Sequence, residues 1–410
     1  MKRLFRFISG AAAAAVTAIL PAAVSCTGLG DDIRRSDTDG STPVEIVPEG
    51  ERHLYVSAVS FPEGYDWKRD PLFGKAKAEI LMFRDGVQTL CIPAGAGYEA
   101  GYEADRHHIS GGHLYTEKCI GGQTVILRDG QPFCRYEPEE ILRGIVSDGR
   151  YVNTLGQHRS GTGFTLRTNG KTVQSWEKGT VTGGFSDYSY MESGALYRDD
   201  GRLCFSYFTD DGGKKRWFHV ADGREKEVRG TEYMTSVFDV RTVSGKSYAA
   251  GAEGRWSAPI LVVEGSRHDL SRTLKGDPAG DYRIFCQDGT AFLAGTFNLP
   301  GDAHPGTAFW DESGLLKQFG GNLKAFRYDG DMTDRVTFYD GRPFSVDYEG
   351  EKLRLLDPRV LMTPQCSCLT DEGWILGLSS RDGSTPPVLW KQGECEPMEI
   401  NGYITAVRWE

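Results

Sequence analysis

From about residue 52 onward, apolar and polar positions alternate in short runs, and a turn signal interrupts the runs at regular intervals. Residues 125 to 134, VILRDGQPFC, show the unit: four residues of strand character, an Asp-Gly pair, and strand character again. EILMFRDGVQTLCI, GFTLRTNGKTVQSW, PILVVEGSRHDL and PPVLWKQGECEPMEI are variations on it. Asp-Gly and Asn-Gly accept the positive φ angles of type I′ turns, whose twist matches that of two antiparallel strands, so each phrase predicts a hairpin. No stretch of this body reads as a long amphipathic helix. Its alternation, its β-branched and aromatic residues and its abundant glycine favour short, twisted antiparallel strands.

The turn glycines Gly86, Gly130, Gly170, Gly223, Gly265, Gly314, Gly350 and Gly393 recur about every 44 residues, the period of a four-stranded propeller blade. Two further strand-like runs precede each turn. The second unit reads EADRHHIS, GHLYTEKCI, QTVILRDG, QPFCRY, and the sixth DYRIFCQDG, TAFLAGTFN, TAFWDESG, LLKQF. One such sheet cannot bury both faces, whereas sheets packed around an axis cover one another and leave only short edges. The pattern therefore predicts an all-β chain forming a single β-propeller of four-stranded antiparallel blades. After the last turn NGYITAVRWE remains, and the first unit supplies only three runs, HLYVSAVSF, EILMFRDG and VQTLCI. Residues Tyr403 to Trp409 are thus expected as the innermost strand of the blade that begins at His53, closing the ring. Eight blades are expected, with seven as the alternative because the units around Gly223 and Gly350 are ragged.

The chain divides into residues 1–25, 26–51 and 52–410. Lys2, Arg3 and Arg6, an apolar run from Ile8 to Val24 and small residues ahead of Cys26 make the first segment an export signal. That run is too short and too rich in alanine for a membrane span. Residues 26–51 are polar, without apolar periodicity, and read as a flexible tether. Ala23-Val24-Ser25-Cys26 resembles the lipobox of bacterial lipoproteins, although the leucine often found three residues before the cysteine is here Ala23. The resemblance implies that Cys26 is diacylated and becomes the mature first residue. Asp31 and Asp32 resemble the surface-export signal of Bacteroidota lipoproteins, which implies an outer-membrane lipoprotein facing either the cell surface or the periplasm. Leu389 to Gly393, LWKQG, is similar to the W-K-N-G repeat of uncharacterised bacterial propeller lipoproteins, and of its degenerate copies only this one keeps both Trp390 and Lys391.

The net charge of −10 becomes −13 without Lys2, Arg3 and Arg6. That balance repels nucleic acid and anionic membrane surfaces, so membrane contact is expected only through the lipid. Beyond Cys26 there are eight cysteines, whose spacings do not resemble a disulfide scaffold. Cys366 and Cys368 would point the same way on one strand and read as buried small hydrophobes. His107 and His108 face opposite ways on a strand and cannot chelate one metal together; they read as core or channel-lining residues. No cofactor or metal site is expected. Structural calcium is the weaker alternative at Asp37 to Gly40, which lacks a glutamate at the twelfth position, and at Asp329, Asp331 and Asp334, which read more simply as a solvated turn.

In a four-stranded blade the turns after the third strand emerge on one face, and the links between second and third strands and between blades emerge on the other. The tight Asp-Gly turns read as structural. Irregular loops on a rigid scaffold are where binding concentrates. The longest of them, Pro62 to Ala78, carries Tyr65, Trp67, Arg69 and Asp70, which suit sugars or peptides by stacking and bidentate hydrogen bonds, or else anchor their own loop. Tyr102, His158, Arg159, Lys214, Lys215, Arg255, Trp256, His304 and Arg381 belong to the same face. The expected role is a ligand-binding or protein-interaction module for a glycan, a peptide or an envelope protein. The alternatives are a propeller-type glycoside hydrolase or lyase with two carboxylates across a cleft, and a structural subunit of an envelope complex. There is no GxSxG, HExxH or Walker motif, TDDGGKKRW only approaches an Asp-box, and no catalytic residue is assigned.

Overall fold

A computed structural model describes residues 52–66, 78–93, 107–120, 123–136, 140–147, 151–182, 195–254, 257–270, 275–287, 289–298, 305–327, 334–338, 345–348, 351–354, 360–361, 367–370, 372–380, 386–391 and 394–410. The architecture is a β-propeller of four-stranded antiparallel blades, and the described strands form eight sheets. The first sheet combines Gly402–Trp409 with Leu54–Ser60, Glu79–Arg84 and Val87–Ile92. The second contains His108–Ser110, His113–Ile120, Gln123–Arg128 and Gln131–Arg135; the third contains Glu140–Ser147, Val152–His158, Phe164–Thr168 and Lys171–Trp176. In the fourth, the inner position is divided between Thr180–Val181 and Tyr197–Asp199, both paired with Arg202–Asp211, which is followed by Lys214–Ala221 and Arg224–Glu227. Ser236–Val243, Lys246–Ala252, Pro259–Val263 and Ser266–Asp269 make the fifth, and Asp277–Gln287, Thr290–Asn298, Pro305–Asp311 and Gly314–Gly320 the sixth. The seventh holds Asn322–Arg327, Asp334–Phe338, Ser345–Tyr348 and Glu351–Arg354. The eighth again has a divided inner position, Val360–Leu361 and Ser367–Thr370, against Gly373–Ser380, Val388–Lys391 and Glu394–Pro397.

Because successive side chains on a strand point to opposite faces, described sheets pack apolar faces against their neighbours. Leu155, Phe164 and Leu166 of the third sheet pack with Phe205, Tyr207 and Phe218 of the fourth. Tyr248, Ala250 and Leu261 of the fifth meet Tyr282, Leu293 and Trp310 of the sixth. Trp374, Leu376 and Trp390 of the eighth bury against Leu54, Val56 and Ile404 of the first. Each large side chain buried in this way contributes about 1.5–3 kcal/mol.

The recurring turn residue does more than tolerate its φ angle. Asp85 and Asp129 sit at φ 50° and 51°, each followed by a glycine in the same left-handed region. The Leu54 N–H donates to Asp85 Oδ1 over 2.9 Å while the Asp85 N–H donates to the Leu54 carbonyl over 2.8 Å. Asp129 holds Leu114 at the same two distances. Asn169 repeats the arrangement on Val152, Asp222 on Leu203, and Glu264 on Ser247. The turn after the third strand thereby clamps the start of the second. The residue before the clamped one matches its partner: His53 and His113 each lie 2.6 Å from the carboxylates of Asp85 and Asp129. Burial is the largest single influence on Asp85 and opposes its ionisation, but the Leu54 N–H, the His53 ring and Arg84 together outweigh it and hold the carboxyl below the ordinary value.

Bulges recur as well. The inner strand skips one pairing at Thr405, Arg143, Phe238 and Lys324 in the first, third, fifth and seventh sheets. A bulge frees backbone groups from the ladder, and here they serve the neighbouring sheet. The Ala195 N–H donates to the Arg143 carbonyl over 2.8 Å, and Arg283 Nη1 to the Phe238 carbonyl over 3.2 Å. At the outer edge, the hairpins of the first, second, third and sixth sheets shift register close to the turn, which twists exposed edges away from foreign strands.

Candidate functional site

The best-described part of the loop-bearing end belongs to the third sheet. Glu140 opens its inner strand and Arg167 lies on its third. The two form a buried bidentate pair, Arg167 Nη1 to Glu140 Oε2 at 2.6 Å and Nη2 to Oε1 at 2.7 Å, with the side chains only 8% and 4% exposed. Gly156 makes this possible, because a Cβ there would collide with Glu140 Oε2. Arg167 also stacks on Tyr136, its Cζ 4.3 Å from the ring centre. Burial pulls the guanidinium pKa down, but the hydrogen bonds and charge of Glu140 outweigh it and leave the pKa raised. Burial drives the Tyr136 hydroxyl well above its ordinary value, so this phenol stays neutral.

His158 ends the second strand above that pair. Its Nε2 lies 3.8 Å from Glu140 Oε1 and 3.3 Å from Thr165 Oγ1, and about a third of its side chain reaches solvent. Arg159, Ser160, Gly161 and Thr162 follow in an exposed turn. The turn is held from below by Gln157, whose Nε2 donates to the carbonyls of Gly163 at 2.6 Å and Gly179 at 3.1 Å, and whose Oε1 accepts from the Val181 N–H at 2.7 Å. Thr180 Oγ1 donates to the Gly161 carbonyl over 3.2 Å. His158 and Arg159 are thus presented side by side on a braced turn, where an imidazole and a guanidinium can bind an oxygen-rich ligand.

Tyr65 anchors its own loop. It is half-buried, its ring lies 5.8 Å from that of Phe61, and Asn401 Nδ2 donates to the carbonyls of Pro62 at 2.8 Å and Tyr65 at 3.0 Å. Lys214 and Lys215 stand in a tight hairpin rather than an irregular loop, because Asp210 and Asp211 are their direct cross-strand partners and only Gly212 and Gly213 lie between. Lys215 Nζ rests 4.6 Å from the Phe208 ring centre. Of the residues expected on this face, Tyr65, His158, Arg159, Lys214 and Lys215 are described; Trp67, Arg69, Asp70, Tyr102, Arg255, Trp256, His304 and Arg381 lie outside the described residues, as does Cys26. Glu140, Gly156 and Arg167 carry no local motif, since the ion pair joins residues 27 apart; the one sequence signal was a glycine inside a strand, which marks a close approach. Among the described residues no group of three or more His, Cys, Asp or Glu could hold a metal ion, and no helix is long and apolar enough to cross a membrane.

No protein-family model matches the chain, and no curated protein matches it. Solved structures do. The structure titled dihydro-heme d1 dehydrogenase NirN in complex with DHE is 14% identical, with a TM-score of 0.51 over 86% of this chain and 74% of its own. A eukaryotic initiation factor is 9% identical, with a TM-score of 0.45 over 81% and 85%, and an oligogalacturonate lyase in complex with manganese is 12% identical, with a TM-score of 0.42 over 70% and 87%. At these identities similarity speaks for fold and not for chemistry, and what the chain shares with NirN is the β-propeller.

Proposed function

We propose that the chain is a lipid-anchored cell-envelope β-propeller whose loop-bearing end binds a glycan, a peptide or an envelope protein. The eight sheets would form one ring, joined where Gly402–Trp409 pairs with Leu54–Ser60. The observation that carries the binding role is the braced turn of the third sheet: it exposes His158 and Arg159 while spending its buried polar groups on holding the turn still. Groups fixed in advance lose little freedom when a ligand arrives. Glu140 is committed to Arg167, which favours binding over acid catalysis at this turn.

The test is a thermal-shift screen of the full chain carrying Cys26→Ser against glycans and peptides. A ligand at a hundredfold its dissociation constant adds about 2.7 kcal/mol of stability. That response should disappear in a His158→Ala, Arg159→Ala double variant or in Trp67→Ala or Trp256→Ala, and its survival in all three rejects this face. Anchoring is read separately, by fatty-acid labelling of the wild-type chain in a bacterial host; equal labelling of Cys26→Ser rejects it.

A further inference from the structure

The fourth and fifth sheets meet over an apolar seam that turns polar toward one end. Phe208 and Trp217 of the fourth pack with Val240, Ala249 and Val262 of the fifth. Two residues along each strand the same faces carry Ser206 opposite His219, and Thr242 opposite Ser247. The Thr242 N–H donates to Tyr197 Oη over 2.7 Å, which brings this inner strand directly against the fourth sheet.

All four residues are more than nine-tenths buried. Ser247 Oγ is used, donating to Glu264 Oε1 over 2.8 Å. Ser206 Oγ, His219 Nδ1 and Thr242 Oγ1 have no hydrogen-bond partner among the described residues, and a buried polar atom in that condition is costly. Two ion pairs stand near His219, Lys226 Nζ to Glu264 Oε2 at 2.8 Å and Arg202 Nη2 to Asp199 Oδ2 at 3.1 Å. Cys204 lies on the same face, but burial pushes its thiol up to about 12, so it brings no thiolate for a metal. Burial also lowers the His219 pKa, leaving a neutral ring with one donor and one acceptor.

We propose that Ser206, His219 and Thr242 form a buried polar chamber between the fourth and fifth sheets that holds an ordered water molecule. A buried water commonly makes about three hydrogen bonds, and three polar atoms stand ready here. The water would add to the polar ties already joining the two sheets at this level, the Tyr197 hydroxyl, the Lys226–Glu264 pair, and Asp199, which accepts from the Ser244 and Gly245 N–H groups.

A high-resolution crystal structure of the full chain decides the matter. The expected result is a single peak about 2.7–3.2 Å from His219 Nδ1 and from at least one of the two hydroxyl oxygens. A Ser206→Ala, Thr242→Val double variant should lose that peak with the backbone unchanged. Direct bonding of Ser206 Oγ to the imidazole with no peak between the sheets overturns the proposal, as does a peak that persists in the double variant.

Discussion

The two ends of the sheets solve the same problem differently. At the turn end one device is repeated: a side chain in the left-handed region reaches across and clamps the neighbouring strand, in five sheets with Asp, Asn or Glu. At the loop end each described connection is held by its own means, Asn401 beneath Tyr65, Gln157 beneath His158, and a glycine pair between Asp211 and Lys214. Repetition is what a fold needs to close many similar units. Individuality, on the same scaffold, is what recognition can use.

The sharpest way to break the contrast is to remove the strongest single tie at the loop end. Arg167→Ala leaves Glu140 buried without its cation and should cost about 3–5 kcal/mol, read as a lower midpoint in urea with unchanged slope. Replacing both partners, Arg167→Met with Glu140→Leu, should cost far less, because no uncompensated charge remains. Equal losses in the two variants would mean that packing against Tyr136 and Gly156, rather than charge, holds this end.

The turn end should respond in smaller, repeated steps. Asp129→Ala removes the bonds to the Leu114 N–H and to His113 and places alanine at φ 51°, an expected loss of about 2–3 kcal/mol. Asp129→Asn recreates the arrangement at Asn169 and Val152 and should cost less than about 1 kcal/mol. If the two substitutions prove equally damaging, the clamp does not act through its side-chain oxygen.

The same contrast explains what could be read from the chain. The Asp-Gly and Asn-Gly phrases gave the hairpins because a positive φ is a local demand, met by residues next to one another. The division of the inner strand between Thr180–Val181 and Tyr197–Asp199 lies where the unit around Gly223 looked ragged. The clamps, the inner-strand bulges and the Glu140–Arg167 pair were hidden. Each depends on residues brought together by pairing register, and register leaves no mark in a single stretch of sequence. Lys214 and Lys215 were placed among the irregular loops; the charge complementarity of Asp210-Asp211 with Lys214-Lys215 was the clue to a hairpin.

Around the strand Gly402–Trp409, which pairs with Leu54–Ser60, histidines of both kinds occur within one seam. His53 and His113 belong to exposed clamps at the turn end, whereas His107 and His108 are buried against the last strand, with His107 Nδ1 2.9 Å from Thr405 Oγ1 and Thr405 Oγ1 2.7 Å from Ser57 Oγ. Burial lowers both buried rings to about 3, and Arg408 adds to the effect at His108. Unfolded, each would titrate at its ordinary 6.5. Above that pH neither state binds the proton and stability is unaffected. Below it the unfolded chain takes up protons that the folded chain refuses, so stability falls by about 1.4 kcal/mol per pH unit for each ring until the folded values are reached. Urea midpoints at pH 7, 6 and 5 should therefore fall more steeply for the wild type than for a His107→Asn, His108→Gln double variant. Parallel slopes would assign the acid sensitivity to the carboxylate clamps instead, and so to the turn end rather than to the seam.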